Sequence, residues 1–229
     1  MAIDLSVVIP VYNARKILRQ NAGRIISALE KERIDYEIIF CDDKSRDDSK
    51  EILEGLAQKT PCIKYLLNEE NQGLGGCLTR LFAEAQGENI IYCDCDLPFG
   101  EGVFKQLLDA SCNYDIVVAS RYKGERNKTR LYRKIFSRLY FFFCWILFSL
   151  DVRDIGSGSV LIKRNIIPKL NLHAKGFDIH AELYVEAISL GFKINEIPVK
   201  SYEVGEGSFS VLKHGLNIVI GTMRFWLKK

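Results

Sequence analysis

Asn89-Ile90-Ile91-Tyr92-Cys93-Asp94-Cys95-Asp96 runs from an apolar stretch straight into two carboxylates one residue apart. A short apolar run of this kind reads as a buried strand. The strand then delivers Asp94 and Asp96 to its C-terminal tip, on one side of the chain. Paired carboxylates suit a hard cation such as Mg²⁺ or Mn²⁺, which takes oxygen ligands and often shares them with substrate phosphates. Cys93 and Cys95 alternate with the carboxylates and point the other way. With no second Cys pair or His at zinc spacing, they read as core packing. A D-x-D triplet recurs by chance, so its weight depends on its neighbours.

Those neighbours repeat one pattern. Leu5–Ile9, Tyr36–Cys41, Ile63–Leu67 and Asp115–Ala119 are further apolar runs. Between them, 14–32, 45–58, 78–86 and 103–110 carry helical spacing. Asn68–Gly76 reads as a loop. Strands rich in Ile and Val that alternate with helices predict a mostly parallel α/β sheet covered on both faces. Ligands of such sheets bind beyond the carboxyl ends of the strands. Tyr12-Asn13, Asp42-Asp43, Asn71-Gln72-Gly73 and Asp94-Cys95-Asp96 all fall there. Asp42-Asp43 also reads as a turn or helix cap.

Composition sets bounds. The 229 residues suffice for one large domain or two small ones, and a single domain over 1–229 is the expectation; 48% are hydrophobic and 27% charged. A net charge of +3 gives no argument for nucleic acid. Seven scattered cysteines suit buried thiols rather than a disulfide framework. Met1 to Pro10 shows no signal-peptide pattern. The middle of the chain is different. A basic stretch from Arg121 to Arg138 leads into Leu139–Leu150, twelve residues without a charge. A spanning helix needs roughly 20, so the helical segment near 131–150 is expected to lie in a bilayer interface. A core helix, a membrane-protein partner or a second copy of the chain are the other readings. A C-terminal amphipathic helix near 211–229 repeats the theme.

In order and spacing these segments resemble a family 2 glycosyltransferase with a GT-A fold, most of all the dolichol-phosphate mannose synthase group of polyprenyl-phosphate glycosyltransferases. The similarity lies in Ser6–Asn13, Cys41–Ser49, Asn71–Gly76, Asp94–Leu97, Ala119–Tyr122, Asp154–Gly158 and Gly191–Val199. The resemblance implies an inverting transfer of a hexose from a nucleotide diphosphate-sugar to a polyprenyl phosphate, by an enzyme peripheral on the cytoplasmic face of the membrane. It implies that Pro10, Val11, Tyr12, Asn13, Asp42, Asp43, Gly73, Gly75 and Asp94 hold the donor. Gly73, Gly75 and Gly76 would let backbone approach near the ligand. Asp94 and Asp96 would hold Mg²⁺ or Mn²⁺, and Arg121, Arg133 and Ser137 would meet the acceptor phosphate. Asp94, Asp96 and Arg121 are thus the expected catalytic set. His173 and His180 read as surface or structural residues.

The pattern departs at Pro98, where many relatives carry Gln, and at Val204, where they often carry Arg; Lys200, Lys213 or His214 would have to supply that charge. Two alternatives follow. A transferase acting on a glycan hydroxyl would need a general base, for which Asp154 and Glu182 are the candidates. A GT-A domain that binds nucleotide-sugar without turnover would need none.

Overall fold

The computed structural model describes residues 3–123, 131–202 and 211–229, and their side chains except those of 133 and 211–214. Among these residues seven strands form one sheet: β1 (Leu5–Val11), β2 (Tyr36–Asp42), β3 (Ile63–Leu67), β4 (Asn89–Cys93), β5 (Ile116–Ser120), β6 (Ser159–Lys163) and β7 (Ile194–Pro198), in the order β3-β2-β1-β4-β6-β5-β7. All pairings are parallel except those of β6, which runs antiparallel between β4 and β5. Among the described residues seven α-helices accompany the sheet: α1 (Leu18–Leu29), α2 (Ser49–Lys59), α3 (Gly73–Glu84), α4 (Val103–Ala110), α5 (Leu131–Phe148), α6 (Ile179–Ser189) and α7 (Val211–Lys228).

Both faces are buried, which is why the strands read as continuous apolar runs. Val7, Ile9, Ile38, Phe40, Ile91, Val117 and Leu161 face one way, onto α1, α2 and α4. Val8, Ile39, Ile90, Tyr92, Val118, Val160 and Ile162 face the other, onto α3, α5, α6 and α7. The alternation along each strand assigns successive residues to opposite cores.

Register fixes where the site falls. Val11 pairs with Asp42, and Val8 with Tyr92, so the carboxyl ends of β1, β2 and β4 lie along one edge. The antiparallel β6 starts at that edge, where Ser159 pairs with Cys93. Its entry loop, 154–158, therefore packs beside the D-x-D turn.

Two helices differ from expectation. The helix expected over 45–58 begins at Ser49, because side chains claim the preceding backbone. Asp42 Oδ2 accepts from Ser45 N at 3.0 Å, and Asp47 accepts from Arg15 N and Ser49 N. In contrast, α3 begins at Gly73, inside the stretch expected to be a loop. Glycine disfavours helix by about 1 kcal/mol per residue, but tertiary contacts reverse that preference here, as shown below.

The helix α5 is apolar on two sides. Tyr140 and Cys144 are buried, and the Tyr140 hydroxyl meets Thr222 Oγ1 of α7 at 2.8 Å. Leu139, Phe142, Trp145 and Ile146 stand exposed. This excludes the fully buried core helix within the chain. Among the described residues, no helix is long and apolar enough to cross a membrane.

Candidate functional site

Three sharp turns aim the strand ends into the site. Asn13, Lys44 and Leu97 adopt φ of 52°, 58° and 50°, two to four residues beyond β1, β2 and β4. Left-handed backbone costs a non-glycine residue about 1–2 kcal/mol, and such residues gather at functional sites. Asn13 is compensated: its N–H donates to Ser45 Oγ at 2.9 Å and its Oδ1 accepts from Arg46 N at 2.8 Å. Beside it Tyr12 is exposed, Pro10 is half-buried and Val11 is buried. Val11 O accepts the Asp43 N–H at 2.8 Å, tying the tips of β1 and β2 together.

Asp42 and Asp43 are both buried, at 3% and 5% exposure, but do different work. Asp43 Oδ1 accepts from Asn68 Nδ2 at 2.8 Å and Gln72 N at 2.7 Å, and Oδ2 accepts from Gly73 N at 2.9 Å. The carboxylate thus caps α3 from another strand, satisfying N–H groups a helix start leaves open and placing negative charge at its positive end. This is the cap reading of Asp43, realised across the fold rather than within α2. Asp42 keeps one acceptor in reserve, since Oδ1 is buried with no hydrogen-bond partner.

The glycine loop also does other work than expected. A side chain at Gly73 would collide with the Lys175 carbonyl, and one at Gly75 with the Ala174 carbonyl. Gly75 N donates to Lys175 O at 2.8 Å. The close approach that glycine permits is taken by the chain's own 174–175 segment, not left for a ligand. Glu182 secures that segment: Oε2 accepts from His173 N at 2.9 Å and Ala174 N at 2.7 Å.

At the end of β4, Asp94 N donates to Gly158 O at 2.9 Å, and Leu97 N closes the turn onto Asp94 O at 3.0 Å. The Asp94 carboxyl is pushed up to about 7, chiefly by burial and then by the charge of Asp96, while Tyr92 and Arg121 pull it back. A carboxyl pushed up by burial and by a neighbouring carboxylate is one whose charged form a cation would favour. The residues therefore fit a hard divalent ion. Among the described residues no cluster of three or more His, Cys, Asp or Glu accompanies them.

Arg121 follows directly on β5. Its backbone N and Nε donate to Asp154 Oδ2 at 2.8 and 2.9 Å, and Nη2 reaches Asp154 Oδ1 at 2.6 Å and Gly156 O at 2.9 Å. Asp154 is fully buried at 0% exposure, and its own N–H is held by Glu196 Oε1 at 2.9 Å. Burial opposes the charge of Arg121, yet Asp154 overrides it and raises its pKa. The guanidinium is a fixed positive charge near Asp94. Ser137 of α5 lies near Tyr122, the residue after Arg121. The side chain of Arg133 lies outside the described residues, as do Val204 and the side chains of Lys213 and His214; Lys200 is exposed. His180 is fully buried and pushed down to about 4 by burial, a neutral core residue.

The D-x-D, Asp42-Asp43 and Arg121 groups thus gather on one sheet edge. Missed in the sequence were strand β6, signalled by Val160-Leu161-Ile162 after a Gly-Ser turn, the helix α6, and Tyr92, two residues before Asp94. A cavity of about 760 Å³ lies elsewhere, between the 171–178 segment and α7.

Comparison with known proteins places the chain in a family. The model of the family described as "Glycosyl transferase family 2" matches residues 6–170. A dolichol-phosphate mannosyltransferase of Pyrococcus furiosus is 31% identical over 189 residues, covering 80% of this chain and 53% of that protein. A dolichyl-phosphate beta-glucosyltransferase of Drosophila melanogaster is 27% identical, covering 89% of this chain and 68% of the other. The chain thus spans about half the length of the Pyrococcus protein. Among solved structures, glucosyl-3-phosphoglycerate synthase from Mycobacterium tuberculosis, crystallised with Mn²⁺, UDP-glucose and phosphoglyceric acid, superposes with a TM-score of 0.71 at 15% identity, over 99% of this chain and 79% of that one. At that identity the likeness establishes the GT-A fold alone.

Proposed function

This chain belongs to glycosyl transferase family 2, and on that footing we propose that it transfers a hexose, of mannose or glucose type, from a nucleotide diphosphate-sugar to a polyprenyl phosphate at a membrane surface. The observation that carries this reading is the state of the two candidate bases. Asp154 is sealed from solvent and committed to Arg121, and Glu182, at 3% exposure, is committed to two backbone N–H groups. Neither is presented to take a proton from a sugar hydroxyl. A phosphate acceptor needs no such base, because its second ionisation lies near pH 6 and its oxygen arrives charged.

The donor lies across the ends of β1, β2 and β4. Tyr12 offers an exposed ring for stacking on the base. Asp42 Oδ1 offers an acceptor for a base N–H, and a buried acceptor without a partner costs free energy until one is supplied. Asp43, Gly73 and Gly75 act one step back, by holding the α3 terminus and the 174–175 segment in place. Asp94 and Asp96 would hold Mg²⁺ or Mn²⁺, which as a Lewis acid supplies charge stabilisation for the departing nucleoside diphosphate. Arg121, pre-set by Asp154, presents fixed positive charge to the acceptor phosphate, with Ser137 near the adjacent Tyr122 and Arg133 on the helix of Ser137. A guanidinium fork suits that geometry. With the ionised oxygen attacking opposite the leaving diphosphate, the transfer inverts the anomeric centre.

The exposed row Leu139, Phe142, Trp145 and Ile146 of α5, with Leu216, Trp226 and Leu227 of α7, supplies a surface for the lipid end of the acceptor. Arg138, Arg224 and Lys228 flank it with charge suited to anionic headgroups. This supports peripheral binding on the cytoplasmic face. Asp96→Ala tests the site. It should abolish Mg²⁺- or Mn²⁺-dependent transfer while leaving the melting temperature unchanged; activity equal to the unaltered protein would sink the metal assignment.

A further inference from the structure

We propose that Tyr92 is a positioning residue for Asp94, its buried hydroxyl holding that carboxylate in the orientation that a cation shared with Asp96 requires. The proposal rests on the metal reading above and goes beyond it by naming what sets the ligand's geometry.

Tyr92 lies on β4 two residues before Asp94, which follows directly on the strand, so the alternation of side chains brings the two to the same side. The ring is core, at 2% exposure, and a phenylalanine would fill the same volume without a polar group to satisfy. The hydroxyl has a specific partner, donating to Asp94 Oδ1. The ring has little freedom to move, because His180 of α6 packs against it with centroids 5.4 Å apart and planes 36° apart.

The other side of the carboxylate is closed by Gly158. A Cβ there would lie 2.5 Å from Asp94 Oδ2 and 2.7 Å from Pro98 Cγ. The two backbones are fastened by the Asp94 N–H on Gly158 O at 2.9 Å. Tyr92 thus fixes one oxygen, and the bare Cα of Gly158 leaves room for the other. Outer partners of this kind orient metal ligands, and their loss typically weakens metal binding about 10–100-fold.

The test is Mn²⁺ binding, followed by electron paramagnetic resonance in the presence of UDP or GDP, with no sugar transfer needed. Tyr92→Phe should weaken Mn²⁺ binding about tenfold or more with thermal unfolding unchanged. Gly158→Ala, which presses on the same carboxylate from the opposite side, should weaken it in the same direction. Unchanged Mn²⁺ affinity in folded Tyr92→Phe overturns the proposal and leaves the metal reading standing. Should Tyr92→Phe fail to fold, normal affinity in Gly158→Ala overturns it instead. An unaltered protein that binds no Mn²⁺ with either nucleotide removes the metal reading, and this proposal with it.

Discussion

Replacing Asp154 by Ala should be among the most destabilising single changes in the chain, although the side chain touches no solvent and fills little volume. Its removal leaves the Arg121 guanidinium, 22% exposed, without the carboxylate that accepts from its Nε at 2.9 Å and its Nη2 at 2.6 Å, and leaves the Arg121 backbone N–H without the same acceptor at 2.8 Å. Breaking a buried pair from one side typically costs about 3–5 kcal/mol. The partial access of water to Arg121 argues for the low end, about 3 kcal/mol. In a domain of this size that lowers the melting temperature by roughly 6–12 °C. Urea unfolding and calorimetry would read the loss. The double change Arg121→Met with Asp154→Leu should recover most of it, because apolar replacement of a whole buried pair is often neutral or stabilising. The recovered protein should nonetheless fail to transfer sugar. A loss below about 1 kcal/mol in Asp154→Ala would refute the buried-pair reasoning. A stable double variant that keeps full transfer would refute the role given to Arg121.

Other outcomes follow from single contacts. Gly75→Ala forces a Cβ onto the Ala174 carbonyl and should cost about 1–3 kcal/mol. Gly55→Ala in α2 meets nothing within 4 Å and should stabilise by about 0.5–1 kcal/mol; paired urea titrations showing equal effects would refute the packing argument. Glu37 is held below its ordinary value of 4.5: burial opposes its charge, but bonds from Lys64, Ser6 and Gln86 N–H outweigh it. Its contribution is therefore present above pH 4.5 and lost as pH falls through the lower folded value. Glu37→Gln should flatten that acid limb in melts taken from pH 7 downward, and an unchanged slope would count against the assignment.

Much of the sheet was legible because the runs of β1, β2, β4 and β5 are largely apolar on both faces, and the edge strand β3 keeps enough of the pattern to be read. The place of Asp94-Cys95-Asp96 directly after β4 was legible for the same reason, since a strand end is a local property. The start of α3 was not. Its glycines argue against helix, and the groups that overrule them, Asp43 and the 174–175 carbonyls, lie about 30 and 100 residues away. The insertion of β6 between β4 and β5 hid for a related reason: an apolar run shows a strand but not its direction or neighbours. The base candidates Asp154 and Glu182 look alike in sequence. Only packing shows that one is tied to Arg121 and the other to backbone.

The most direct measurement is lipid-extractable label. The protein, a polyprenyl phosphate and Mg²⁺ or Mn²⁺ are incubated with labelled UDP-glucose or GDP-mannose, then partitioned into organic solvent. Acid-labile label in the organic phase with one of the donors is the expected result. Label that stays in the aqueous phase with both donors, while nucleotide binding is measurable and a hydroxyl-bearing glycan accepts the sugar, would contradict transfer to a lipid phosphate.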